Sequence, residues 1–190
     1  MTLTKKLMLT MFVILALPIV ASAQIDQFGA VDTVFAEVAK IDDFNWSITV
    51  KYSNDESVVG MSIPLKMSAG SNRIVGDSAI YTGGRVEHWS VKTFRPDTSI
   101  QCVTMGMIAN MGPTNKTLLP GKGRLMTIFV SSLDKKPIES LMVDTTTTSP
   151  NNTLMVVADR FQGGDKPDTI PINERQVLEI RPHFVVIQPK

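Results

Sequence analysis

Phe44-Asn45-Trp46-Ser47-Ile48-Thr49-Val50-Lys51-Tyr52 decides how this chain is read. Phe44, Trp46, Ile48, Val50 and Tyr52 form one alternate set, and Asn45, Ser47, Thr49 and Lys51 form the other. Side chains of an extended strand point to opposite faces in turn, so the pattern predicts a strand with one buried and one solvated face. Asn54-Asp55-Glu56 reads as the turn that follows. Val59, Met61, Ile63 and Leu65 then alternate around Pro64. Proline has no N–H for a ladder, so this second strand is expected at a sheet edge or at a bulge. Upstream, residues 33–41 read as a strand entering a turn at Asp42-Asp43.

The same grammar continues downstream. Strands are expected over 72–81, closed by Gly83-Gly84, and over 86–94, ending before Arg95-Pro96-Asp97. Residues 99–109 and 124–131 are apolar on both faces, as expected of strands in the middle of a packed layer. Gly112-Pro113 and Pro120-Gly121 bracket a loop between them, and residues 138–143 and 154–158 complete the series. Residues 183–187 are either a last strand or the start of a linker. Two stretches look irregular: the threonine run 145–150, prolonged by Asn151-Asn152, and residues 162–171, rich in glycine, proline and charge. Helical periodicity is almost absent and no internal repeat is visible. Many short strands, some with one polar face and others with none, indicate an all-β, two-sheet β-sandwich. Its expected interior holds Trp46, Ile48, Val50, Met61, Ile63, Ile128 and Val156.

The first 23 residues are an address. Lys5 and Lys6 precede an apolar run from Leu7 to Val20, and Ala21-Ser22-Ala23 offers the small-x-small pattern of a signal-peptidase site. The expected organisation is a signal peptide over 1–23, an N-terminal segment over 24–31 and a β-sandwich over 32–187. The expected location is extracytoplasmic: secreted, periplasmic or at the cell surface. Loss of Lys5 and Lys6 turns the whole-chain charge of +1 into about −1. No basic stripe remains, which argues against nucleic acid as a partner. No later apolar stretch is long enough to span a bilayer. Cys102 is the only cysteine, so the core must hold without an internal disulfide. It lies in an apolar run and reads as a buried small hydrophobe before it reads as a reactive thiol.

The order of segments resembles the cohesin-like branch of the carbohydrate-binding-module superfamily. Val59-Gly60-Met61-Ser62-Ile63-Pro64-Leu65, Asn72-Arg73-Ile74-Val75-Gly76-Asp77-Ser78-Ala79 and Gly121-Lys122-Gly123-Arg124-Leu125-Met126-Thr127-Ile128-Phe129-Val130 carry the resemblance. The last stretch, a Gly-x-Gly followed by an apolar strand, is the best match. The resemblance covers residues 32–180. It implies a jelly-roll sandwich that binds another protein, typically a calcium-loaded dockerin, through a variable sheet face.

Catalytic motifs are missing from the sequence. His88 and His183 are the only histidines, far apart and outside any His-Glu-x-x-His pattern. No Gly-x-Ser-x-Gly elbow occurs. Pairing of Cys102 with His88 is a remote alternative. Asp42-Asp43 suits turn capping better than acid–base work. Asp165 and Asp168 are thin evidence for a calcium loop, which needs 6–8 oxygens. Gly121-Lys122-Gly123 lacks phosphate-loop spacing and reads as a tight turn. Sequons at Asn45, Asn115 and Asn151 matter only in a glycosylating host.

The function expected from the sequence is therefore an exported, non-catalytic binding or adhesion module whose partner is another extracellular protein, with a dockerin-type partner in view. The alternative is a carbohydrate-binding module using exposed aromatics, and the third reading is a secreted hydrolase with an unrecognised site. No cofactor, metal or catalytic residue is assigned. The expected ligand surface is a hairpin around Gly83-Gly84 presenting Tyr81, Arg85, Trp89 and Phe94, because aromatic and arginine side chains dominate interface energetics.

Overall fold

A computed structural model describes residues 26, 29–109, 117–148, 152–159 and 177–189. The signal segment, Gly112-Pro113, Asn115, Asn151, Asp165 and Asp168 lie outside them. Among the described residues there are thirteen strands: β1 (Thr33–Lys40), β2 (Asn45–Asn54), β3 (Val58–Ser68), β4 (Ile74–Ile80), β5 (Val91–Asp97), β6 (Cys102–Ile108), β7 (Gly121–Ser132), β8 (Met142–Thr145), β9 (Thr147–Thr148), β10 (Asn152–Thr153), β11 (Met155–Asp159), β12 (Val177–Ile180) and β13 (His183–Ile187). No helix among the described residues is long and apolar enough to cross a membrane.

Two sheets carry the structure. One has the order β13-β1-β2-β7-β4; the other has the order β12-β11-β3-β6-β5, with β8 also pairing β3. β9 and β10 form a separate two-stranded ladder. The last strand, β13, runs parallel to the first, β1, while the other ladders are antiparallel. The tail is thus a strand, and its backbone secures the edge of β1.

β2 is the strand that its alternation predicts. Trp46, Ile48, Val50 and Tyr52 are buried, and the residues between them are only partly so. Phe44 departs from the pattern: it is 43% exposed because the strand begins at Asn45. Asp42 explains that boundary. Its carboxylate accepts from the Asn45 side-chain amide (2.9 Å at Oδ1, 2.8 Å at Oδ2) and from the backbone N–H groups of Phe44 (2.7 Å) and Asn45 (2.8 Å), and these bonds, the side-chain one foremost, hold its carboxyl below the usual range. Asp43 pairs with Lys40 at 2.7 Å. The acidic pair is a turn device.

All seven expected interior residues are buried. The indole of Trp46 donates to the carbonyl of Ile138 at 3.2 Å, which satisfies its one polar atom inside the core. Cys102 is buried, and burial pushes its thiol pKa up. β6 and β7, the runs apolar on both faces, each lie between two partner strands.

β3 takes the second of its two expected forms, a bulge: its pairing with β11 steps from Gly60 to Val58 between Val157 and Ala158. It is not an edge, because β6 flanks it on one side, with β11 and β8 on the other. Pro64 is accommodated because the neighbour changes there. β11 pairs as far as Ser62, β8 takes over at Leu65, and the Pro64 carbonyl accepts from the Thr145 hydroxyl at 3.2 Å. The missing N–H faces that break in the ladder. Two expectations need correction. First, 86–94 is a strand only from Val91; residues 82–90 form successive turns. Finally, 138–143 joins a sheet only from Met142, although Ile138 and Leu141 are buried ahead of it.

Candidate functional site

The four residues expected to form a contact surface do not form one. β4 and β5 belong to different sheets, so the segment between them is a crossing from one layer to the other and not a hairpin. Turns at Gly84 N to Tyr81 O (2.8 Å), Glu87 N to Gly84 O (3.0 Å) and Trp89 N to Val86 O (3.0 Å) coil this crossing tightly. Gly83 takes a φ of +71°, and a Cβ on Gly84 would sit 2.0 Å from the Leu125 carbonyl oxygen. The coil drops Val86 and Trp89 into the core, where Trp89 is 1% exposed. Trp89 is therefore a packing residue of the one core cluster that both sheets share.

Arg85 is spent on the chain itself. Its Nη1 donates to the Tyr52 carbonyl (3.0 Å), Asn54 Oδ1 (2.8 Å) and the Gly121 carbonyl (2.9 Å), and its Nη2 donates to the Leu119 carbonyl (2.5 Å). One guanidinium ties the end of β2, the start of β7 and the segment before β7 together. The Gly121–Gly123 pair acquires its reason here. These residues are not a tight turn; they continue the β2–β7 ladder opposite Asn54 and Tyr52. A Cβ on Gly123 would lie 3.0 Å from Arg85 Cδ, so the bare backbone makes room for the arginine stem. Tyr81 and Phe94 are half-buried against the core edge. The Tyr81 hydroxyl donates to the Thr93 carbonyl at 3.3 Å, and Lys92 Nζ lies 5.9 Å from its ring centroid.

The outer faces of the two sheets differ in chemistry. That of the first carries Thr33, Phe35 and Glu37 from β1, and Asn45, Ser47, Thr49, Lys51 and Ser53 from β2, and is largely polar. Lys51 pairs there with Glu37 at 2.5 Å. The outer face of the second is built from small residues and an apolar row. In register across β5, β6, β3 and β11 stand Val91, Ile108, Gly60 and Val157. Val91 is 39% and Ile108 45% exposed. The next row is Thr93, Gly106, Ser62 and Met155. Thr93 Oγ1 donates to the Gly106 carbonyl (3.1 Å) and accepts from the Gly106 N–H (3.0 Å), so no side chain fits at 106. The result is a low surface with an apolar end. The signal was in the sequence, in the second alternate set of β3 (Gly60, Ser62, Pro64, Lys66), but its partners come from three distant strands.

Solved structures share this architecture. The seventh ScaB type I cohesin of Pseudobacteroides cellulosolvens matches with a TM-score of 0.50 at 8% sequence identity, covering 83% of this chain and 92% of that one. A chain of the Coh-OlpA–Doc918 complex, a type I cohesin–dockerin complex from Clostridium thermocellum, matches with a TM-score of 0.50 at 8% identity, covering 84% and 100%. The fold is cohesin-like. No family model matches the chain, and no curated protein matches it.

The cohesin-like sandwich carries a second concentration of chemistry, at the end where β1 begins and β2 turns into β3. Carboxylate oxygens of Asp26, Asp32, Asp55 and Glu56 all lie within 4.8 Å of one another. The Tyr52 hydroxyl donates to Asp32 Oδ2. The backbone N–H of Asp32 donates to Asp26 Oδ2 (3.0 Å), and that of Ala30 donates to Asp55 Oδ2 (2.6 Å). Asp32 and Glu56 are buried, and burial pushes both carboxyl pKa values up, with the neighbouring acids adding to the effect. Composition gave no hint of this group, since two of its members precede β1 and two follow β2.

Proposed function

We propose that the mature chain is an exported, non-catalytic module that binds another extracellular protein through the outer face of the β12-β11-β3-β6-β5 sheet. The observation that carries this reading is the apolar row Val91–Ile108–Gly60–Val157, exposed at Val91 and Ile108, half-buried at Val157 and bare backbone at Gly60, set in a face of small residues while the opposite sheet presents a polar one. A flat apolar strip rimmed by polar groups suits a protein surface better than a small ligand. The Arg95, Asp97, Lys66 and Asp144 side of the same sheet supplies the polar rim. A dockerin is the partner class that the Clostridium thermocellum complex suggests. Sugar binding loses its main aromatic platform with Trp89 in the core.

The test is differential capture. Ile108→Asp places a charge in the middle of the row at an exposed position, so the fold is expected to survive. Wild-type chain immobilised with calcium present is expected to retain a protein from the producing organism's extracellular fraction, and the variant to lose at least about tenfold in affinity, roughly 1.4 kcal/mol. Equal capture by a folded variant would remove the row from the interface. Export rests on the tripartite N-terminus, and N-terminal sequencing of secreted material is expected to begin at Gln24. Recovery of only full-length chain from the cytoplasm would contradict it.

A further inference from the structure

The carboxylates of Asp26, Asp32, Asp55 and Glu56 converge at the β1 end of the sandwich. Asp32 is fully buried and Glu56 is 6% exposed, yet Asp32 Oδ1 and both carboxylate oxygens of Glu56 have no hydrogen-bond partner among the described residues. No lysine or arginine among the described residues forms an ion pair with Asp32, Asp55 or Glu56. Arg85, which feels the Asp32 charge, has its guanidinium held by Tyr52, Asn54, Leu119 and Gly121. Buried carboxylates without donors are costly and require either protons or a bound cation.

The geometry favours the cation. Donors around one calcium ion stand about 2.3–2.6 Å from it, so opposite ligands are about 4.6–5.2 Å apart. The four carboxylates present oxygens all within 4.8 Å of one another. Every donor is a hard oxygen, and neither histidine nor the cysteine takes part, which selects against zinc and the softer metals. Four carboxylates offer enough oxygens for a coordination number of 6–8 when some bind through both. Magnesium dehydrates reluctantly and is seldom held by an all-protein cage of carboxylates, so calcium is the cation expected.

We propose that Asp26, Asp32, Asp55 and Glu56 form a calcium site that fastens the segment before β1 to the β2–β3 turn. Glu56 and Asp32 supply the inner, water-excluded oxygens. Asp55, exposed, and Asp26, half-buried, close the site from the solvent side. Tyr52 orients Asp32 from within the core through its hydroxyl hydrogen bond. The site is independent of the docking face, so either proposal stands if the other fails.

Calorimetric titration of the purified secreted chain with calcium chloride, paired with thermal unfolding in calcium and in chelator, tests this. A dissociation constant of about 0.1 mM or tighter is expected, as for extracellular calcium modules. At about 10 mM calcium the folding equilibrium then shifts about 100-fold toward the native state and the melting temperature rises by several degrees. Magnesium at the same concentration is expected to give little of this. Asp55→Asn, at an exposed position, is expected to weaken binding at least about tenfold in a folded protein. Glu56→Gln is expected to abolish the calcium-dependent shift while leaving the chelator-treated protein about as stable as wild type, because a neutral amide replaces a buried carboxyl of nearly the same shape. Absence of both heat and thermal shift in wild type would overturn the proposal and leave the cluster holding protons. Undiminished binding in the Asp55→Asn, Glu56→Gln double variant would overturn it by placing the ion elsewhere.

Discussion

Trp89→Ala is expected to destabilise the domain by about 3–5 kcal/mol, the range for emptying the volume of a buried aromatic. Trp89 is 1% exposed and ranks among the largest fully buried side chains, in the same cluster as Val86, Ile63 and Met105. It is delivered there by a coiled crossing whose turns leave little slack for collapse around a void. Equilibrium unfolding in urea measures the loss. Trp89→Phe, which fills much of the volume, is expected to recover more than half of it. A loss below about 1 kcal/mol for the alanine variant would mean that the crossing does not anchor the open end of the sandwich.

Arg85→Ala is expected to cost about 2–4 kcal/mol. The guanidinium donates to four acceptors on three segments, and charge-assisted bonds are the stronger class. Removing it strands the Tyr52 carbonyl and Asn54 Oδ1 at a partly buried site and opens the space above Gly123. Arg85→Lys is expected to restore little, because one ammonium cannot reach four acceptors held in a fork. Unfolding midpoints of the two variants check both statements, and full rescue by lysine would show that charge alone matters at this position. Since Leu119 lies beside the start of β7, local hydrogen exchange at 118–123 is also expected to quicken in both variants.

Arg85 and Trp89 mark the boundary of what local pattern discloses. Both read as candidate contact groups in the sequence, with the core as the other reading of Trp89, because aromatic and arginine side chains gather around paired glycines that suggest a hairpin tip. Once β4 and β5 are assigned to different layers, the same glycines become the means of coiling a crossing. Pro64 follows the same logic. Its missing N–H implied an edge or a bulge; the strand is interior, it bulges at Val59, and two successive neighbours leave a break where the proline stands. Gly121 and Gly123 looked like a turn and instead continue a ladder, with Gly123 giving clearance to the stem of Arg85 and the Gly121 carbonyl accepting from its guanidinium.

The sequence by itself determined the all-β class, the alternation of β2 and β3, the seven core residues and the burial of Cys102. These are legible because the two-residue period of a strand is a local property: a residue's face follows from its neighbours in the chain, whatever the strand packs against. Tertiary structure decided which strands share a sheet, which outer face stays apolar, and that Asp26 and Asp32 meet Asp55 and Glu56. Those outcomes depend on register between strands that are distant in sequence. No local spacing encodes that register, and a cluster of like charges forms only where the pairing of β1 with β2 brings the two ends together.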